Sequence, residues 1–152
     1  MKKIWKLLIS IVIPFLASAI GSLFTASSVS SWYTTLIKPS FNPPSWIFGP
    51  VWTILYLLMG VSLYLVWIKK FDKNAFTFFG IQLVLNALWS ILFFGLKSPL
   101  FAFVEIIFLW IAILITIIYF YRINKISAYL LIPYILWVSF AAILNFVIFI
   151  LN

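Results

Sequence analysis

The chain contains no cysteine and no histidine. Without thiols there is no disulfide and no thiolate metal site, and without imidazole the usual nitrogen ligand of zinc and haem sites is missing. The same absence excludes a Ser-His-Asp hydrolase. Acids are nearly as scarce: Asp72 and Glu105 stand against ten basic residues, a net charge of +8. A proton-coupled transporter would carry more ionisable groups within its spans. No Walker or dinucleotide glycine motif is present among the five glycines.

What the chain has in abundance is apolar length. Its residues are 66% hydrophobic and 8% charged, where a soluble domain is roughly a quarter charged. A helix needs about 20 apolar residues to cross the hydrocarbon, and five segments reach that length: 4–26, 46–68, 76–96, 99–121 and 128–151. None alternates every second residue as a β-barrel strand would, and lipid leaves helices as the remaining way to satisfy the backbone. The expected fold is therefore all-α, a single membrane domain of five transmembrane helices over 1–152. Lys2, Lys3 and Lys6 ahead of an apolar run resemble a signal peptide, but the run continues too far and lacks a small-residue cleavage site at the usual distance.

Charge sets the expected orientation. Lys2, Lys3, Lys6, Lys69, Lys70, Lys73, Arg122 and Lys125 fall on one side of five spans, and only Lys38 and Lys97 on the other. The positive-inside rule then places the N-terminus in the cytoplasm, with the first loop and the C-terminus outside. The net positive charge is read as topology and contact with anionic lipid, not as a nucleic-acid surface.

Later connections are short, which makes successive helices antiparallel neighbours. The first connection, 27–45, is long and carries Trp32, Tyr33, Leu36, Ile37 and Phe41, with Trp46 just beyond it, too much apolar surface for a disordered segment. Pro39, Pro43 and Pro44 stiffen it. The expectation is an ordered lid over the outer mouth of the bundle, with Pro50 merely opening the second helix.

Three helices present mixed faces. Gln82, Asn86, Trp89 and Phe93 lie within about 60° of one another on helix three by helical geometry. Helix five offers Trp137, Ala141, Leu144 and Asn145, and helix two offers Trp52, Tyr56 and Met59. Two readings of the amides stand: they bind a ligand, or they hydrogen-bond between helices. Glu105, the one acid inside a span, is a functional candidate on general grounds, yet lies close enough to the helix end to reach polar surroundings. Trp5, Trp32 and Trp46 fall near the interfaces, where aromatic belts form. Walls of indole, phenol and phenyl with a few amides suit a flat, largely apolar ring system. Lys38 and Lys97 on the outer side could meet its carboxylates, as a tetrapyrrole would require, whereas a sterol would make little use of the amides.

Three blocks, "WYTTLIKPSFNPPSWIFGPVWTILYLLMG" from Trp32, "QLVLNALWSILFFG" from Gln82 and "PYILWVSFAAILN" from Pro133, resemble in order and spacing the signatures of the translocator protein / tryptophan-rich sensory protein family (TspO/MBR, peripheral-type benzodiazepine receptor). The resemblance implies a five-helix bundle in a bacterial cell membrane, commonly a homodimer, whose cavity opens toward the first loop. It implies as ligands protoporphyrin IX and haem, isoquinoline carboxamide and benzodiazepine-type drugs, and sterols in animal members, with no obligatory cofactor and no metal. Carried over by motif, the ligand-binding positions are Tyr33, Pro43, Phe48, Gly49, Trp52, Asn86, Trp89, Trp137, Ala141 and Leu144, to which the helical faces add Tyr56, Phe93 and Asn145. Bacterial members are implicated in light-dependent breakdown of protoporphyrin IX, with Trp52 and Trp137 matching the tryptophans held to matter. This chain reads "SFNPP" where many members read "SWHPP", and "NFVIFILN" lacks the basic residue of the animal cholesterol motif.

Overall fold

The computed structural model describes all 152 residues. Every regular element is helical: α1 (Lys3–Ser28), α2 (Phe48–Lys69), α3 (Lys73–Ser90), α4 (Pro99–Ile123), α5 (Lys125–Leu130) and α6 (Ile132–Leu151), with short 3₁₀ turns at Trp32–Thr35 and Ser45–Ile47. Five stretches are long and apolar enough to cross a membrane, the fifth being α5 and α6 together.

The spans put small residues inside and large ones outside, the reverse of a soluble helix. On α1, Ser10, Pro14, Ala17 and Gly21 are buried, while Leu8, Val12, Leu16 and Ile20 are exposed. Lipid tails are as apolar as leucine, so tight backbone approach and not hydrophobic burial holds such helices together. At the α1–α2 crossing, a Cβ on Gly60 would lie 2.9 Å from both the Ile11 Cα and the Ser10 carbonyl oxygen.

Caps fix where the helices start. Asp72 accepts from the Ala75 N–H at 2.9 Å, Ser98 from Phe101 at 3.2 Å and Asn124 from Ile126 at 2.9 Å, each satisfying a donor that a first turn leaves open. These caps start the third and fifth spans three residues earlier than hydropathy suggests. Pro50 sits in the first turn of α2, where its missing N–H costs nothing.

Two departures from regular helix bear on the site. The fifth span breaks at Leu131, where the Leu131 N–H turns to the Ala128 carbonyl at 3.1 Å, because Pro133 has no N–H to continue the ladder. Beyond Ser90, the third span widens into a π-helical turn over Ile91–Gly95, closed by Leu96 N–H to the Ile91 carbonyl at 2.8 Å. This turn buries two successive phenyls, Phe93 and Phe94, which a regular helix would set about 100° apart.

In the bundle, α1 packs on α2 and α3, α3 on α4, α4 on α6 and α2 on α5. Around the start of α3 the interior is solid, with Met59, Val66, Phe79, Ile113 and Phe120 buried and Phe79 stacked on Phe120 at 5.8 Å. Toward the other end the bundle is hollow.

Candidate functional site

The hollow is a cavity of about 440 Å³ enclosed by α1, α2, α3, α4, α6 and the first loop, within the size range of small-molecule sites. Twelve of the thirteen expected positions lie on its wall: Tyr33, Phe48, Gly49, Trp52, Tyr56, Asn86, Trp89, Phe93, Trp137, Ala141, Leu144 and Asn145. Pro43 does not; its neighbour Asn42 takes the place, its amide donating to the Tyr33 hydroxyl at 3.2 Å and to the Pro43 carbonyl at 3.3 Å. Pro43 therefore acts through the shape of the loop. Met59 and Gln82 are buried deeper and do not reach the wall.

The four deep tryptophans divide by what their ring N–H groups do. Trp89 donates to the Asn145 side-chain oxygen at 3.0 Å and Trp110 to the Ser139 hydroxyl at 2.8 Å. Trp110 also lies outside the cavity wall. Trp52 and Trp137 line the cavity, and no protein group accepts from either indole. A buried indole N–H ordinarily has a partner, so these two are the donors the cavity offers a guest. Trp52 lies 5.6 Å from Tyr56 and 6.2 Å from Tyr134 between centroids, and Trp137 lies 6.1 Å from Phe48.

The amides bond between helices and line the cavity at once. Asn86 accepts from the Tyr56 hydroxyl and donates to the Tyr134 hydroxyl at 2.9 Å, and Tyr134 in turn donates to the Gln82 side-chain oxygen at 2.7 Å. Asn145, besides receiving Trp89, donates to the Pro99 carbonyl at 2.8 Å. Their geometry is thus fixed before any ligand arrives. Below this chain, Glu105 is buried with both carboxyl oxygens unpartnered, and Gln82 Nε2 is likewise open. The carboxyl does not reach polar surroundings.

The first loop roofs the cavity. Tyr33 is buried against Phe93 and Phe94 at 6.3 and 5.7 Å, so the π turn supplies the surface on which the roof rests. Burial raises the Tyr33 phenol above its ordinary value, and the hydrogen bond with Asn42 only partly opposes this, so the phenol is neutral at physiological pH. Ile37, Phe41 and Trp46 stay 60%, 51% and 73% exposed, against the expectation that the loop hides its apolar residues. For Trp46 the interfacial belt accounts for that exposure. Lys38 and Lys97 do not line the cavity. Lys38 Nζ stands 4.5 Å from the Tyr33 ring centroid, and Lys97 occupies the turn before α4 with φ 55°.

Sequence reasoning missed the α1 wall entirely. Ser18, Gly21, Ser22 and Thr25 line the cavity, with Ser90 of α3 beside them. A signal was present: three hydroxyls at i, i+4 and i+7 inside an apolar span mark one face. The cavity is therefore two-sided, with hydroxyls on α1 facing indoles and phenols on α2 and α6, and no charged side chain lines it.

Comparison with known proteins agrees with this architecture. The model of the TspO/MBR family matches residues 10–151. The chain is 50% identical over 151 residues to "Tryptophan-rich protein TspO" of Archaeoglobus fulgidus, covering 98% of each chain. It is 37% identical over 138 residues to "Translocator protein" of Homo sapiens, covering 88% of this chain and 82% of that one. It is 35% identical over 115 residues to "Tryptophan-rich sensory protein" of Cereibacter sphaeroides, covering 76% and 73%.

Proposed function

The chain belongs to the TspO/MBR family of membrane proteins, and from that premise we propose that it is a receptor or carrier for porphyrins such as protoporphyrin IX and haem, and for isoquinoline carboxamide or benzodiazepine-type drugs. It sits in a bacterial cell membrane with its N-terminus cytoplasmic and its first loop outside, where it forms a homodimer. One observation carries the reading: Trp52 and Trp137 line a roofed, uncharged cavity with indole donors that no protein group uses. A flat ring gains offset and edge contacts with these indoles, and its polar edge finds N–H groups there and hydroxyls on α1. A sterol fits the apolar walls and leaves the indole donors unpaired, so it is the weaker ligand.

The test is a spectroscopic titration of the purified chain with protoporphyrin IX, the isoquinoline drug and cholesterol. Saturable binding of the first two with a raised melting temperature supports the reading; no shift with either removes it.

A second reading is favoured by the 5.6 Å Trp52–Tyr56 contact, which sets an oxidisable indole beside an oxidisable phenol on the cavity wall. In that reading the protein is an enzyme that degrades protoporphyrin IX with light and oxygen. Illumination of the complex distinguishes the two: a product that vanishes in Trp52→Phe and Trp137→Phe variants supports the enzyme, and an unchanged ring spectrum supports the receptor.

A further inference from the structure

Glu105 is the one acid inside a span and is 6% exposed, with neither oxygen partnered. Around it α3 presents Gln82, α6 presents Tyr134, and Tyr56 of α2 joins through Asn86. None of these is basic. An ionised carboxylate left so would cost several kcal/mol in desolvation with nothing to offset it. The second orphan is Gln82 Nε2, on the amide that already receives the Tyr134 hydroxyl. Glu105 is near enough to Tyr134 for their charges to interact, so both unsatisfied groups flank one phenol.

We propose that Glu105 and Gln82 form a proton-binding site beneath the cavity, joined to its floor through Tyr134, Asn86 and Tyr56, so that protonation of Glu105 and occupancy by an anionic ligand are linked. A carboxylic acid complements a primary amide: its hydroxyl donates to the amide oxygen while its carbonyl accepts from the amide N–H. Gln82 Oε1 has a second lone pair for that donor, and Nε2 has the open hydrogen. One proton on Glu105 thus satisfies all three orphaned atoms.

The linkage is electrostatic, because an amide in the chain interrupts proton hopping. Tyr56, Asn86 and Tyr134 each turn a donor inward. Their oxygens therefore face the cavity side, and Tyr56 and Asn86 stand on its wall. An anionic ligand there and an ionised Glu105 repel each other through a medium that screens poorly. Binding then favours the protonated form, and affinity falls as pH rises through the Glu105 titration. This second half rests on the porphyrin reading above; the proton site itself does not.

Infrared spectroscopy of the ligand-free chain in detergent tests the proton site. The expected result is a carboxylic-acid carbonyl band at neutral pH that shifts in D₂O, moves in Tyr134→Phe and disappears in Glu105→Gln. A carboxylate signal from the unmutated protein at neutral pH, or a band that survives Glu105→Gln, overturns it. Protoporphyrin IX titrations from neutral to alkaline pH test the linkage. Affinity should fall by up to about tenfold per pH unit, the limit for one linked proton, and stay flat in Glu105→Gln; parallel slopes overturn the linkage. If protoporphyrin IX binds neither protein while the band is present, the porphyrin reading falls and the proton site stands.

Discussion

Trp89 on α3 and Asn145 on α6 are joined by an indole-to-amide hydrogen bond of 3.0 Å, and the same amide holds the Pro99 carbonyl at the start of α4 at 2.8 Å. One side chain thus ties three helices at the hollow end of the bundle, where close backbone packing is absent. Replacing Asn145 with Leu leaves an indole donor and a carbonyl unsatisfied, a loss of about 1–3 kcal/mol. Thermal unfolding in detergent should show a lower melting temperature, with Ile143→Ala on the exposed face as the control. An unchanged midpoint would mean that the tie contributes nothing.

Asn152 grips the first loop, accepting from the Ile37 N–H at 3.0 Å and donating to the Ile37 carbonyl at 2.9 Å. These bonds are exposed, and the pair is worth about 1 kcal/mol. Asn152→Ala should speed dissociation of protoporphyrin IX by about fivefold while leaving association nearly constant. Stopped-flow displacement reads the off-rate directly. The double change Pro43→Gly, Pro44→Gly should act in the same direction, by loosening the loop. Unchanged off-rates in both would mean that the loop is no gate.

The α1–α2 crossing predicts a sharp asymmetry between two glycines. Gly60→Ala places a methyl 2.9 Å from backbone atoms of α1, whereas a Cβ on Gly80 meets nothing within 4 Å. The first should cost about 1–3 kcal/mol through overpacking. The second should leave stability unchanged or slightly raised, and equal melting temperatures for the two variants would contradict the packing described.

Each span was legible from apolar length, and the α3 face of Asn86, Trp89 and Phe93 from a spacing of three and four residues. Periodicity places a side chain on a face but does not give its partner. That Trp89 spends its N–H on Asn145 while Trp137 keeps its own free is set by helix crossings, which no single helix encodes. The π turn that buries both Phe93 and Phe94 was hidden for a related reason: apolar residues on every side look alike to a hydropathy scan. The α1 wall of Ser18, Ser22 and Thr25 went unread because hydroxyls in a span stand out less than tryptophan or asparagine.

Indole chemistry separates three tryptophans of the hollow end. Trp137→Phe and Trp52→Phe each lose a donor facing the cavity and should weaken protoporphyrin IX binding by about 1 kcal/mol, roughly fivefold. Trp110→Phe breaks the bond to Ser139 outside the wall and should leave affinity unchanged. Fluorescence or absorbance titration of the three variants reads the difference. Equal affinity throughout would take Trp52 and Trp137 off the site.

Ala141 stands on the cavity wall one turn beyond Trp137, so Ala141→Trp fills the space between α6 and α2 without touching the solid half of the bundle. The decisive measurement is a side-by-side absorbance titration of wild type and Ala141→Trp with protoporphyrin IX, alongside their melting temperatures. Saturable one-to-one binding by the wild type, lost in a variant that melts as before, is the predicted result. Equal binding by the plugged protein would place the porphyrin elsewhere and contradict the account.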